Sequence, residues 1–216
     1  MTTPKIPLVL ATTNEGKARE IRIALRGLPF RVITLAAISV GAACPEKGAT
    51  FEANATTKSL HYGRKSGFLT LAEDSGLVVD ALDGAPGVRS ARFSGRGATD
   101  EKNNHRLLRL MEDVPPKART ARFICHMVLS HRGRVLASVR GEVRGTITDA
   151  PRGDLGFGYD PVFYYRPVRK TFGEIPPSAK NAFSHRGRAL AKIKGFLKRE
   201  GPPPFGKRAG LGGGAP

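Results

Sequence analysis

Glu73 and Asp74 stand side by side between two apolar runs, Phe68 to Ala72 and Leu77 to Ala81, and Glu46 lies in the loop Pro45-Glu46-Lys47-Gly48. Adjacent carboxylates repel unless a cation or an exposed loop relieves them. The three acids on loops therefore suit either a solvated turn or hard oxygen ligands for Mg2+, which it takes readily together with substrate phosphates. A second group, Thr12-Thr13-Asn14-Glu15-Gly16-Lys17, gathers hydroxyls, an amide and an ammonium where a strand passes into a helix. The first N–H groups and positive dipole end of that helix suit a phosphate, while Thr and Asn are equally ordinary caps. The third group is Gly156-Phe157-Gly158-Tyr159-Asp160 followed by Lys180 and Ser184-His185-Arg186. Two aromatics to stack on a base, a carboxylate for base N–H groups and three cations for a polyphosphate make a nucleotide set. Taken singly, Phe157 and Tyr159 suit a core, and His185 suits a surface or a cap.

The flanking sequence supplies elements to hold these groups. Ile6 to Leu10 reads as a strand and Gly16 to Leu25 as a helix with Ala18, Ile21 and Leu25 on one face. Phe30 to Leu35 is a second strand, and Thr50 to Arg64 a second helix with Thr50 as N-cap. The runs 68–72 and 77–81 are strands with Glu73 and Asp74 at a strand end, and Asp83 to Gly97, rich in Gly, Pro and Ser, is an extended surface loop. Thr99-Asp100 caps a helix to about Met111. Arg119 to Ser130 alternates, turns at His131-Arg132-Gly133-Arg134 and continues through Val135 to Arg144 as a hairpin. Val162 to Tyr165 is an aromatic strand, and a last helix covers about Arg186 to Lys198. Strands alternating with helices around one long hairpin predict an α/β fold, a mixed sheet with flanking helices.

Composition bounds the classes. The chain has 216 residues, 40% of them hydrophobic, enough for one sizeable domain or two lobes sharing a core. We expect one domain over residues 1–200 and a disordered tail over 201–216, whose prolines and glycines cannot pack a core. The net charge of +18 is uneven: residues 1–100 carry 13 basic and 9 acidic side chains, the rest 23 and 9. The second half attracts anions, or is simply a solvated basic surface. No apolar run approaches the roughly 18 to 20 residues of a membrane span or forms a signal-peptide core, which predicts a cytoplasmic protein without a membrane partner. Cys44 and Cys125 are isolated, which excludes a disulfide framework and a cysteine-based zinc site. Gly201 to Arg208 imitates a phosphate loop, but Arg208 replaces Ser/Thr and three prolines forbid the setting; Gly156-Phe157-Gly158 begins a dinucleotide fingerprint that Pro161 breaks.

Taken in order, the pieces resemble a known family, the inosine and xanthosine triphosphate pyrophosphatases, which remove non-standard purine nucleoside triphosphates. The likeness covers about residues 6 to 200. It rests on Thr12 to Lys17, Glu46 before Gly48, Glu73-Asp74-Ser75-Gly76, Gly84-Ala85-Pro86-Gly87 through Ser90-Ala91-Arg92, Phe157 to Asp160, and Ser184-His185-Arg186. The resemblance implies an elongated two-lobed fold with a central active-site cleft, a homodimer, and Mg2+-dependent hydrolysis of ITP, dITP or XTP to monophosphate and pyrophosphate. By similarity Glu46, Glu73 and Asp74 bind Mg2+, Asp74 is also the general base, and Ser75 touches substrate. Thr12, Thr13, Asn14, Lys17, Lys180 and Arg186 would hold phosphates, and Phe157, Gly158, Tyr159, Asp160 and His185 would form the purine pocket.

Two positions depart from the family pattern: Ala53 stands where relatives commonly have Glu, and Thr13 where many have Gly. The Gly/Pro tail and strong basicity also lie outside it. A basic RNA-binding protein on the same scaffold without turnover is the alternative of a different class; it lacks an RNA-binding signature, and the pyrophosphatase reading requires no nucleic acid. A pyrimidine-directed pyrophosphatase would explain the carboxylates but not Phe157 to Asp160 with His185.

Overall fold

The structure is a computed structural model that describes residues 5–38 and 44–200, so the disorder expected of residues 201–216 lies outside the described residues. One mixed sheet has the strand order β2-β1-β3-β4-β5-β6-β7. Its strands are β1 Ile6–Ala11, β2 Phe30–Thr34, β3 Leu69–Val79, β4 Thr120–His131, β5 Arg134–Ile147, β6 Phe163–Tyr165 and β7 Lys170–Thr171. β1 lies parallel to β2 and β3, and every later pairing is antiparallel. The helices are α1 Glu15–Ala24, α2 Phe51–Ser66, α3 Asp100–Leu110, α4 Pro177–Lys180 and α5 His185–Glu200. The expected α/β architecture with a mixed sheet and flanking helices is therefore the observed one.

Alternation along the long strands builds two cores on one face of the sheet. Leu69 and Leu71 of β3 with Cys125, Met127 and Leu129 of β4 pack against Ile21 of α1 and Leu190 and Ile193 of α5. Further along the same strands, Leu77, Val79, Ala121 and Phe123 pack against Leu107 and Met111 together with Phe163 and Phe172. Glu73 and Ser75 fall between the two clusters. The opposite face takes α2, whose Ser59 hydroxyl reaches the Val128 carbonyl at 3.1 Å and Ser130 Oγ at 2.7 Å.

Two expectations are corrected. Glu73 and Asp74 do not end a strand or sit on a loop: β3 runs unbroken, with Thr70 to Val79 all paired to β4. The polar tetrapeptide reads as a turn only because its counter-charges come from distant sequence. β1 stops at Ala11, opposite Ala72, so from residue 73 onward β3 loses its parallel neighbour and opens an edge. Clefts beyond the carboxyl ends of parallel strands are where α/β sheets bind ligands.

The segment from Asp83 to Gly97 is not extended either; it contains the 3₁₀ turn Gly87–Arg92, packed on β3. Gly76 permits this approach, since a Cβ there would lie 2.2 Å from Ser90 Oγ. The Ser90 hydroxyl accepts from Leu77 N at 3.0 Å and donates to the Gly87 carbonyl at 2.6 Å.

The expected caps are present: Asn14 Oδ1 accepts from Lys17 N, Thr50 Oγ1 from Ala53 N and Thr99 Oγ1 from Lys102 N. Ala53 occupies the third position of α2 and is exposed. Ala53→Glu allows a carboxylate to reach back to the Thr50 N–H and complete a capping box, so thermal unfolding should show a gain of about 0.5 to 1 kcal/mol. No described helix is long and apolar enough to cross a membrane.

Candidate active site

A cavity of about 440 Å³ opens at the free edge of β3. It is lined by Thr12, Thr13, Asn14 and Lys17 from the β1–α1 turn, by Glu46, and by Asp74, Ser75 and Gly76 of β3. Phe157, Gly158, Tyr159 and Asp160 line it from the loop before β6, and His185 and Arg186 from the start of α5. Of the fifteen residues given a site role from sequence, thirteen thus meet in one place; Glu73 and Lys180 do not line it.

Those two belong to a buried ionic cluster behind the wall, on the α1 and α5 side of the sheet. Glu73 lies 2.9 Å from Lys17 Nζ and 3.6 Å from Arg186, and accepts from the Cys125 thiol at 3.1 Å. Arg186 donates to Glu20 and, at 2.9 Å, to Ser75 Oγ. Lys180 bridges Glu20, at 2.6 Å, and Asp160. Burial works against the charge on Glu73 and Glu20, but Arg186, joined by Lys17 or Lys180, outweighs it and holds both below the usual carboxylate range. Burial, with Glu73 nearby, pushes the Cys125 thiol well up, so it stays a neutral donor.

Asp74 points to the other face, toward α2. Its Oδ2 accepts from Asn54 Nδ2 at 2.9 Å, and its Oδ1 accepts from Ser75 N at 3.1 Å. The Lys58 ammonium lies 3.8 Å from Asp74 and 3.3 Å from Glu46. Asn54 also accepts from Gly48 N at 2.8 Å, which ties the Glu46 loop to α2. Burial raises the Asp74 carboxyl above its ordinary value, with Lys58 only partly opposing it.

The aromatic loop is fixed from three sides. Gly16 gives Phe157 its place, since a Cβ there would lie 2.6 Å from the ring. The Gly158 N–H donates to Asp100 at 2.6 Å, and its carbonyl accepts from Asn104 at 2.9 Å. The buried Tyr159 hydroxyl donates to the Ser90 carbonyl at 2.9 Å, and Asp160 accepts from Phe157 N at 3.1 Å. Both are thus engaged in holding the loop. His185 is buried and stacked on Phe123 at 4.6 Å and 10°, and among the described residues its Nδ1 has no partner. Burial and the neighbouring Arg186 and Lys180 push its pKa well below the ordinary value, so the ring is neutral.

The three carboxylates expected to share a metal are not gathered: among the described residues no three His, Cys, Asp or Glu side chains converge. Adjacent residues of a strand face opposite sides, which parts Glu73 from Asp74. Glu46 and Asp74 remain a pair, already bridged by one cation, Lys58. Sequence reading missed Glu20, Lys58, Asn54 and Asp100. Glu20 lies three residues from Lys17, and Lys58 four from Asn54, so helical spacing puts each beside a residue of interest.

By fold and cleft, this is a mixed α/β protein with a cavity at the carboxyl end of a parallel strand, walled by paired charges and one aromatic loop. The chain belongs to the Ham1 family, which residues 8–196 match. It is 50% identical over 194 residues to the dITP/XTP pyrophosphatase of Geobacter sulfurreducens, covering 90% of this chain and 98% of that one. To a dITP/XTP pyrophosphatase of Thermus thermophilus it is 44% identical over 197 residues, covering 91% and 94%. Among solved structures, a HAM1 protein from Coxiella burnetii is similar with a TM-score of 0.81 at 38% identity, covering 90% of this chain and 99% of that one.

Proposed function

We propose that the chain is a nucleoside triphosphate pyrophosphatase that hydrolyses dITP, ITP and XTP to the monophosphate and pyrophosphate. The observation that carries this reading is the meeting, in one cavity, of the Thr12–Lys17 turn, Asp74 and the Phe157–Asp160 loop with His185 and Arg186. Relatives at 40 to 50% identity bear the name dITP/XTP pyrophosphatase. We propose further that it works as a cytoplasmic homodimer, as the family resemblance of its motifs implies.

The reaction needs water to attack the α-phosphorus as the bond to the bridging oxygen breaks and pyrophosphate leaves. Asp74, on the cavity wall, takes the proton from that water. Glu46 and Asp74 suit a divalent ion such as Mg2+, because they already share one cation between hard oxygens beside the cleft. When bound, Mg2+ neutralises charge on the phosphates. The Thr12–Lys17 turn, at the N-terminus of α1, orients the phosphate chain.

Arg186, buried and matched by Glu20, Glu73 and Ser75, serves the wall of the base pocket better than a mobile phosphate. A 6-oxopurine has a protonated N1, whereas adenine presents an amine and a bare N1, so a fixed polar wall leaves groups unpaired with ATP. Unpartnered His185 Nδ1 belongs to that wall. A screen of pyrophosphate release over nucleoside triphosphates, with and without Mg2+, tests the reading: dITP and XTP should be turned over far faster than ATP. Release of orthophosphate, or equal turnover of ATP, would refute it.

A further inference from the structure

Among the described residues, four cations line the cleft: Lys17, Lys58, Arg92 and Arg186. Three are committed: Lys17 to Glu73, Lys58 to Glu46 and Asp74, and Arg186 to Glu20 and Glu73. These three positive charges face four carboxylates, so together they leave no surplus to offset a polyphosphate. Arg92, the last residue of the 3₁₀ turn Gly87–Arg92, is exposed, and among the described residues its guanidinium has no acceptor or carboxylate partner.

Its backbone is pinned on both sides. The Ser90 hydroxyl bonds to β3 and its carbonyl accepts from Tyr159. Asn103 of α3 donates to the Ala91 carbonyl at 3.4 Å and accepts from Ser94 N at 2.7 Å. A free guanidinium on a fixed base needs little reorganisation to bind, and its planar fork matches two phosphate oxygens. Resting on the triphosphate reading above, we infer that Arg92, on the Gly87–Arg92 turn, holds polyphosphate oxygens of the bound nucleotide in addition to the Thr12–Lys17 turn.

The test compares wild type, Arg92→Ala, Arg92→Lys and Arg89→Ala, the last on the same 3₁₀ turn but not lining the cavity. Calorimetry with inorganic tripolyphosphate and with inosine is set beside KM for dITP. Arg92→Ala should weaken tripolyphosphate binding and raise KM by roughly tenfold, with inosine affinity unchanged and part of the loss recovered by Lys. Arg89→Ala should stay within about twofold of wild type. A tripolyphosphate affinity for Arg92→Ala within about twofold of wild type, an equal loss for inosine, or a wild type that binds no tripolyphosphate would overturn the assignment. If the wild type binds tripolyphosphate but hydrolyses neither dITP nor XTP, the enzymatic reading fails, while the tripolyphosphate affinities still decide Arg92.

Discussion

Asp74→Asn should lower kcat on dITP by about 10³-fold, within the range for loss of a positioned general base, and leave the protein folded. Position 74 is buried in the middle of β3, so tolerance of the change rests on shape and on charge. Asn keeps the outline of Asp, and its amide oxygen still accepts from Asn54 Nδ2. The carboxylate is itself disfavoured by burial, so removing its charge offsets part of what is lost when Lys58 keeps only Glu46. Circular dichroism should match wild type, with stability reduced by no more than about 1 to 2 kcal/mol. Activity within tenfold of wild type in a folded variant would remove Asp74 from the mechanism.

Glu20→Ala should have the largest effect on stability, a loss of about 3 to 5 kcal/mol, because it strands two buried cations, Lys180 and Arg186, beside one another. For a chain of this size that is a fall in Tm on the order of 10 °C. Glu20→Gln keeps hydrogen-bonding atoms but no charge, and should fall between. The pH dependence has a definite sign: Glu20 is held below the usual carboxylate range, so its contribution is complete above the unfolded pKa of about 4.3 and is lost as pH falls through the folded value. Wild type and Glu20→Gln should therefore draw together in stability as pH falls below about 4.3 through the folded value. Thermal melts across pH check both points; a Glu20→Ala variant within about 1 kcal/mol of wild type would show that water enters and solvates the cations.

What sequence makes legible here is whatever is settled locally. Asn14, Thr50 and Thr99 cap their helices within three residues of themselves, and the turn at Arg132-Gly133 joins β4 to β5. The same local signals misread Glu73 to Gly76. Hydrophobic periodicity treats a charged pair as solvent-facing, and nothing within a dozen residues discloses that Arg186 will lie against Glu73, or Lys58 near Asp74. The candidate site was readable as a set of residues and not as a geometry. Lys180 carries the residue type of a phosphate ligand, yet its charge is spent on Glu20 and Asp160. Tyr159 has the type of a stacking ring, yet its hydroxyl fastens the loop to Ser90.

The ion pair between Glu20 and Arg186 spans 166 positions of the chain. A ribosome delivers the N-terminal partner first, at about 5 to 20 residues per second, so Glu20 and Glu73 exist for some seconds as acids whose guanidinium has not yet been made. Before Arg186 is made, β1, β3 and the long hairpin have all been synthesised together with their strand partners, and Asp74 is in the chain. The cleft nonetheless lacks the ring stacked on Phe123 and the cation that joins Glu20 to Ser75, since both arrive with α5. Assembly of the cavity is thereby tied to the last stretch of synthesis: a prematurely ended chain stopping before His185 carries Asp74 and the Thr12–Lys17 turn, yet lacks the His185 and Arg186 side chains that complete the cavity wall.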